Sequence, residues 1–201
     1  MDKNVEKDLC GICGRRVPSY STVYLSSQGK QTLVCMKCYN QEISNYTGFD
    51  FEHVEFEPVM IKDADGEDHK FHFVVRHLGD RFTIETFEIK DGHPGGYEFS
   101  IIDNIQEEPH NLFQKLIVRM RRALDRSHIT WDETTRNWQI TDSDLVRGRI
   151  DSGLDSDGHA RMPLIIIDGK EITWNEFGKM LTTYEGFNFK LEIFDRSDEM
   201  P

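Results

Sequence analysis

Four cysteines in two C-x-x-C pairs constrain this chain more than any other feature. Cys10 and Cys13 form one pair, Cys35 and Cys38 the other, and no other cysteine occurs in the 201 residues. Two intervening residues let a tight knuckle aim both sulfurs at one ion. Four thiolates then complete a tetrahedron with no position left for water, which is the pattern of a structural zinc site. Gly11 and Gly14 suit the sharp turns of such a knuckle. A thioredoxin-like dithiol needs a strand before it and a helix after it; only nine residues precede Cys10, and the second pair stays unexplained. A disulfide framework needs an oxidising compartment. The N-terminal MDKNVEKDLC carries acids and no apolar stretch of a secretory signal, so a cytoplasmic location with reduced thiols is expected. The expectation is one structural Zn2+ held by Cys10, Cys13, Cys35 and Cys38.

Between the pairs, STVYLSS, a turn at Gln28-Gly29-Lys30 and QTLVC predict a hairpin. After Cys38, Tyr39, Ile43 and Tyr46 recur at helical spacing and Gly48 ends the pattern. Knuckle, hairpin, then a helix whose first turn carries the second cysteine pair resembles the treble-clef zinc-finger class over residues 8–48. That resemblance implies a zinc-stapled module, taken here as residues 1–50, and fixes no function, because such modules serve nucleic-acid binding, protein binding and plain stapling alike.

Residues 51–127 predict an antiparallel meander followed by a helix. Turns at Asp65-Gly66, Gly79-Asp80 and Asp91-Gly92 separate VEFEPVMIK, KFHFVVRH, RFTIETFEIK and YEFSII. Phe71, Phe73 and Val75 would share one face, as would Phe82, Ile84 and Thr86. The helix PHNLFQKLIVRMRRALDR carries an apolar stripe of Leu112, Phe113, Leu116, Ile117, Met120, Ala123 and Leu124, with Pro109 in its first turn. Residues 128–201 repeat the logic, sharing a core with 51–127 or forming their own. A hairpin around ITWDETTRNWQIT precedes LVRGRI, MPLIII and the turn at Asp168-Gly169-Lys170. Thr173 and Glu176 form a capping box for a helix that Gly186 ends. FNFKLEIF then alternates as a strand, with Phe187, Phe189, Leu191 and Ile193 on one side. The fold class is therefore α+β. The runs GDRFTIETFEIKDG, KLIVRMRRALDR and IIIDGKEITWNEFGKMLTTYEGFNFKLEIFDRSDE resemble a group of uncharacterised bacterial proteins, which implies a bacterial or phage-related origin and no particular activity.

Chemistry beyond the cysteines is sparse. His69, His72 and His77 are close in sequence, but no HExxH accompanies them, and they read as surface histidines of a half-exposed sheet. The acidic loop starting at Asp151 or Asp155 lacks an EF-hand's glycine and glutamate in either register. No GxSxG, GxxxxGK[ST] or GxGxxG occurs, so no catalytic residue is assigned. A net charge of -12 repels nucleic acid as a whole. Local basic groups remain: Arg15, Arg16 and Lys37 in the cysteine module, and Lys115, Arg119, Arg122 and Arg126 on the helix. They could meet phosphates or an acidic partner, or they could complement the helix C-terminus and the acidic body. No apolar run reaches membrane-spanning length, and no membrane partner is expected. The sequence thus points to a non-enzymatic, zinc-stabilised binding or adaptor protein whose partner is a protein. Nucleic-acid binding through the basic groups is the second reading, and an enzyme with an unrecognised site the third.

Overall fold

The four-stranded antiparallel sheet at the centre of the molecule is covered on both faces, and that positions everything else. In the computed structural model, residues 5–27, 29–141, 144–154, 161–195 and 198 are described. The sheet runs β5 (Val59–Lys62), β6 (Asp68–His77), β7 (Arg81–Lys90) and β8 (His93–Asn104) in sequence order, each strand antiparallel to the next. A bulge between Phe87 and Glu88 shifts the β7–β8 register. Gly96 and Tyr97 of β8 are left without a partner on β7 there, so the pairing slips by two residues and the side chains keep their phase across the bulge.

One face takes α2 (Pro109–Leu124), starting with proline at a position whose N–H would have no partner in the helix. Leu112, Leu116, Met120 and Leu124 are fully buried against Phe71, Val75, Phe82 and Ile84. Each such side chain contributes about 1.5–3 kcal/mol of transfer free energy, before the entropy of ordering it. The expected partition of Phe71, Phe73 and Val75 to one face holds, as does that of Phe82 and Ile84.

The other face takes the cysteine module. Its elements are β1 (Lys7–Leu9), β2 (Arg16–Pro18), β3 (Thr22–Ser27), β4 (Lys30–Cys35) and α1 (Met36–Thr47), with β1 paired to β2 and β3 to β4. Met36 of α1 is buried with Val74 and Phe87, and Tyr20, Val23, Tyr39 and Ile89 pack around them. The sheet is therefore not half-exposed, and the three histidines are not surface residues: His69, His72 and His77 are all buried. His72 lies under Tyr20, whose hydroxyl is 3.1 Å from its Nδ1. Where β5 stops, the edge of β6 is completed by a side chain. Asn40 of α1, fully buried, donates through Nδ2 to Val75 O (2.8 Å) and accepts the His77 N–H at Oδ1 (2.9 Å).

The C-terminal part has its own buried cluster of Ile129, Ile165, Ile167, Ile172 and Met180. It comprises the hairpin β9 (Ile129–Asp132) and β10 (Asn137–Ile140), the sheet β11 (Arg149–Leu154), β12 (Arg161–Ile167) and β13 (Lys170–Thr173), and α3 (Trp174–Leu181). The capping box is present: Thr173 Oγ1 accepts the Glu176 N–H while the Glu176 carboxylate accepts the Thr173 N–H. Polar contacts tie this part to the sheet. Lys90 Nζ donates to Gly169 O (2.8 Å), and Arg149 pairs with Glu98 (3.0 Å). The strand-like stretch LVRGRI becomes strand only from Arg149, and part of the acidic loop, residues 155–160, lies outside the described residues. The expected C-terminal strand is not formed. Residues 187–195 are exposed and carry no secondary structure: among the described residues no strand pairs with them, and alternation alone does not supply backbone partners.

Candidate metal centre

The cage is assembled from two turns that different elements hold in place. Cys10 directly follows β1 and starts a knuckle closed by the Gly14 N–H donating to Cys10 O (3.0 Å) and the Cys10 N–H donating to Arg15 O (2.9 Å). Gly14 has φ +69°, which glycine adopts at no steric cost. Gly11 is needed for space: a Cβ there would stand 2.5 Å from the Thr32 methyl and 3.2 Å from Leu33 O, whose oxygen accepts the Gly11 N–H. Cys35 is the last residue of β4 and the N-cap of α1, and Cys38 follows in the first helical turn. The positive end of the helix dipole therefore points at the cage and favours thiolate there.

All four sulfurs fall within 4.8 Å of one another. Thiolates about 2.3 Å from a tetrahedral ion stand about 3.8 Å apart, and the Cys13 and Cys35 sulfurs are 3.8 Å apart. A disulfide needs about 2.05 Å, so this spacing fits ligands around an ion rather than oxidised pairs. Cys10 Sγ accepts the backbone N–H of Cys35 at 3.2 Å. Burial would raise the Cys10 thiol, but amide donors from Cys13, Cys35 and Ile12 outweigh it and lower its pKa. The Arg15 guanidinium pulls Cys13 down to about 6 and lies 3.9 Å from Cys35 Sγ. Cys38 moves the other way, raised by burial and by the thiols around it. A set of thiols in which some ionise readily and the last resists is what a dication resolves, since its charge lets all four ionise together.

The structure does not gather the basic residues onto one surface. Arg15 serves the thiol cluster. Arg16 and Lys37 are exposed on the module, on the opposite side of the central sheet from α2. On α2, Lys115 pairs with Asp103 (3.4 Å) and Glu107 (3.5 Å), and Arg119 donates to Ser100 O (3.1 Å). Arg122 and Arg126 are exposed near the helix end. Asn40, which locks the module to the sheet, carried no signal in the sequence.

Against known families, residues 9–50 match a domain of unknown function (DUF7685), residues 52–125 a second (DUF7686) and residues 126–198 a third (DUF7713). The first covers the cysteine module, the second the central sheet with α2, and the third the C-terminal sheets with α3. No curated protein and no solved structure matches the chain. Among the described residues, no helix is long and apolar enough to cross a membrane.

Proposed function

We propose that this chain is a non-enzymatic adaptor in which one structural zinc, held by Cys10, Cys13, Cys35 and Cys38 in a treble-clef-like module, fixes α1 on the central sheet, while the C-terminal segment is offered as a strand to a partner protein. Four thiolates around the ion leave no coordination position for substrate or water, which supports a stapling role for the metal. The observation that carries the adaptor reading is the exposed row of Phe187 (72%), Phe189 (90%), Leu191 (72%) and Ile193 (72%). Large apolar side chains concentrated in one exposed segment are costly in water and mark an interaction surface. Its period of two is that of a strand with one apolar face. A strand of this kind binds by adding to an open sheet edge, with main-chain hydrogen bonds supplying affinity and alternate side chains supplying specificity. The acids that follow, Asp195, Asp198 and Glu199, favour an edge flanked by basic residues.

The test is native mass spectrometry of the protein isolated from its own host, followed by amide exchange on the complex obtained. One zinc per chain and slowed exchange at 187–194 in the bound form are the expected results. A complex that forms equally well with a Phe189→Ser, Leu191→Ser double variant removes the strand-addition reading, and a chain carrying no metal removes the cage.

A further inference from the structure

Far from the cysteines, the turn between β5 and β6 brings together Asp63, Glu67 and His69, whose ligand atoms lie within 4.8 Å of one another. His69 is 9% exposed and Glu88, from the neighbouring strand, 7%. Both ring nitrogens of His69 face carboxylates: Nδ1 is 2.8 Å from Glu88 Oε1 and Nε2 is 3.0 Å from Asp63 Oδ2. A neutral imidazole has one N–H and one lone pair, so one nitrogen would meet an oxygen lone pair to lone pair. A second proton on the ring, a proton on one of the carboxyl groups, or a cation at the junction of nitrogen and oxygen resolves the clash.

The surroundings present Nε2 and Asp63 Oδ2 as a pair. Asp63 Oδ1 is occupied by the N–H groups of Asp65 (3.0 Å) and Glu67 (2.8 Å), which aims Oδ2 at the ring. Glu88 Oε2 accepts the Tyr97 N–H (2.9 Å) and has Lys90 3.8 Å away, so Glu88 acts as an outer partner that fixes the ring through Nδ1. Carboxylates orient metal-bound imidazoles in this way. Ligands at right angles about 2.1 Å from an octahedral ion stand about 3.0 Å apart, which is the Nε2–Oδ2 separation found here. Glu67 is exposed, and Lys62, the nearest base on β5, is paired with Asp68 at 3.0 Å. The solvent-facing member of the group is thus an anionic side chain, Glu67, above a nearly covered His69 and Asp63.

We propose that Asp63, Glu67 and His69 form a second, independent cation site for a divalent transition ion of the manganese-to-zinc range, with Glu88 as the residue that positions the imidazole. One imidazole with two carboxylates suits such ions, whereas calcium takes six to eight oxygens. When the ion enters, any second proton on His69 leaves to solvent and Nε2 becomes a ligand. The ion fixes the 63–67 turn, and because Ser127 Oγ donates to Asp65 Oδ2 (3.1 Å), it also steadies the start of the C-terminal part.

The test uses the full chain with its cysteine cage zinc-loaded and Mn2+ as the probe, a hard ion that competes poorly for thiolates. Free Mn2+ is counted by electron paramagnetic resonance, and the bound ion is located by the amide signals it broadens. One saturable ion that broadens residues 63–69 first is expected. Glu67→Gln, at an exposed position that does not threaten folding, should weaken binding at least about tenfold, and Glu88→Gln by about 10–100-fold through ring orientation. Broadening spread over the acidic surface and unchanged in both variants overturns the proposal. So does a His69 ring that keeps both protons at saturating Mn2+.

Discussion

Replacing Asn40 with alanine tests how the cysteine module is joined to the body. The carboxamide sits fully buried between α1 and β6, with both hydrogens of Nδ2 used, one on Val75 O and one on His53 Nδ1 (2.8 Å each), and Oδ1 taken by the His77 N–H. Its orientation leaves no ambiguity, since only the amide nitrogen can serve a carbonyl and only the oxygen an N–H. Alanine strands two buried backbone groups at the end of β5, where no strand takes over. An orphaned buried group costs about 1–3 kcal/mol, so the pair predicts a loss of about 2–5 kcal/mol. That is a large share of the total stability of an ordinary domain. The assay is urea denaturation of wild type and variant with metal saturating, which keeps the cage itself out of the comparison. Asn40→Asp provides the control for volume. It keeps the acceptor for His77 but sets a carboxylate oxygen against Val75 O, and should cost at least as much as alanine. A loss below about 0.5 kcal/mol for both variants would refute the idea that this amide stands in for a missing strand.

Other expectations follow from the same geometry. Cys35→Ser should abolish stoichiometric metal binding and speed amide exchange not only over residues 8–48 but also at Val75 and His77; protection retained at those two residues would show that the module and the sheet edge fold independently. His53 is held below its ordinary value of 6.5, by burial first and by Lys37 and Arg15, against the opposing pull of Glu55. The folded form therefore binds a proton less readily than the unfolded chain, so stability is full above pH 6.5 and declines as the pH falls toward the lowered value. His53→Gln should make that decline shallower, and an unchanged slope in urea titrations across this range would contradict the assignment. Gly169→Ala places a Cβ 2.8 Å from the Tyr97 ring at φ +67°. It should destabilise the fold by more than the few tenths of a kcal/mol that a neutral surface change costs, seen as a lowered thermal midpoint, and an unshifted midpoint would count against close packing there.

Much of this architecture could be read from local signals. The C-x-x-C spacing, the Asp-Gly turns, the stripe from Leu112 to Leu124 and the Thr173–Glu176 capping box each encode their own neighbourhood within a few residues. What the chain does not display is which surfaces meet. The alternation of Phe71, Phe73 and Val75 marks one buried face, yet His72 and Val74 on the opposite face are buried by Tyr20 and Met36, from a module far earlier in the chain. His69 finds one carboxylate six residues away and another nineteen away on the next strand, and no motif joins them. FNFKLEIF carries the period of a strand, but periodicity specifies a face and not a neighbour. Asn40 sits in YNQE, a stretch that reads as ordinary polar helix surface, and only the end of β5 gives it a task.

The two-sided cover of the sheet makes thiol chemistry and colloidal behaviour one problem. Met36 follows directly on Cys35, and the face it covers includes Val74 and Phe87. If the cage holds the proposed ion, an oxidant or chelator that takes the sulfurs away from it loosens the start of α1. It thereby wets an apolar patch on β6 and β7 and uncovers the β6 edge that Asn40 had filled. A newly wet patch beside an open strand edge is a template for chain-to-chain pairing. Loss of that ion would thus be read out as a change of solubility, felt on the strands of a sheet that contains no cysteine.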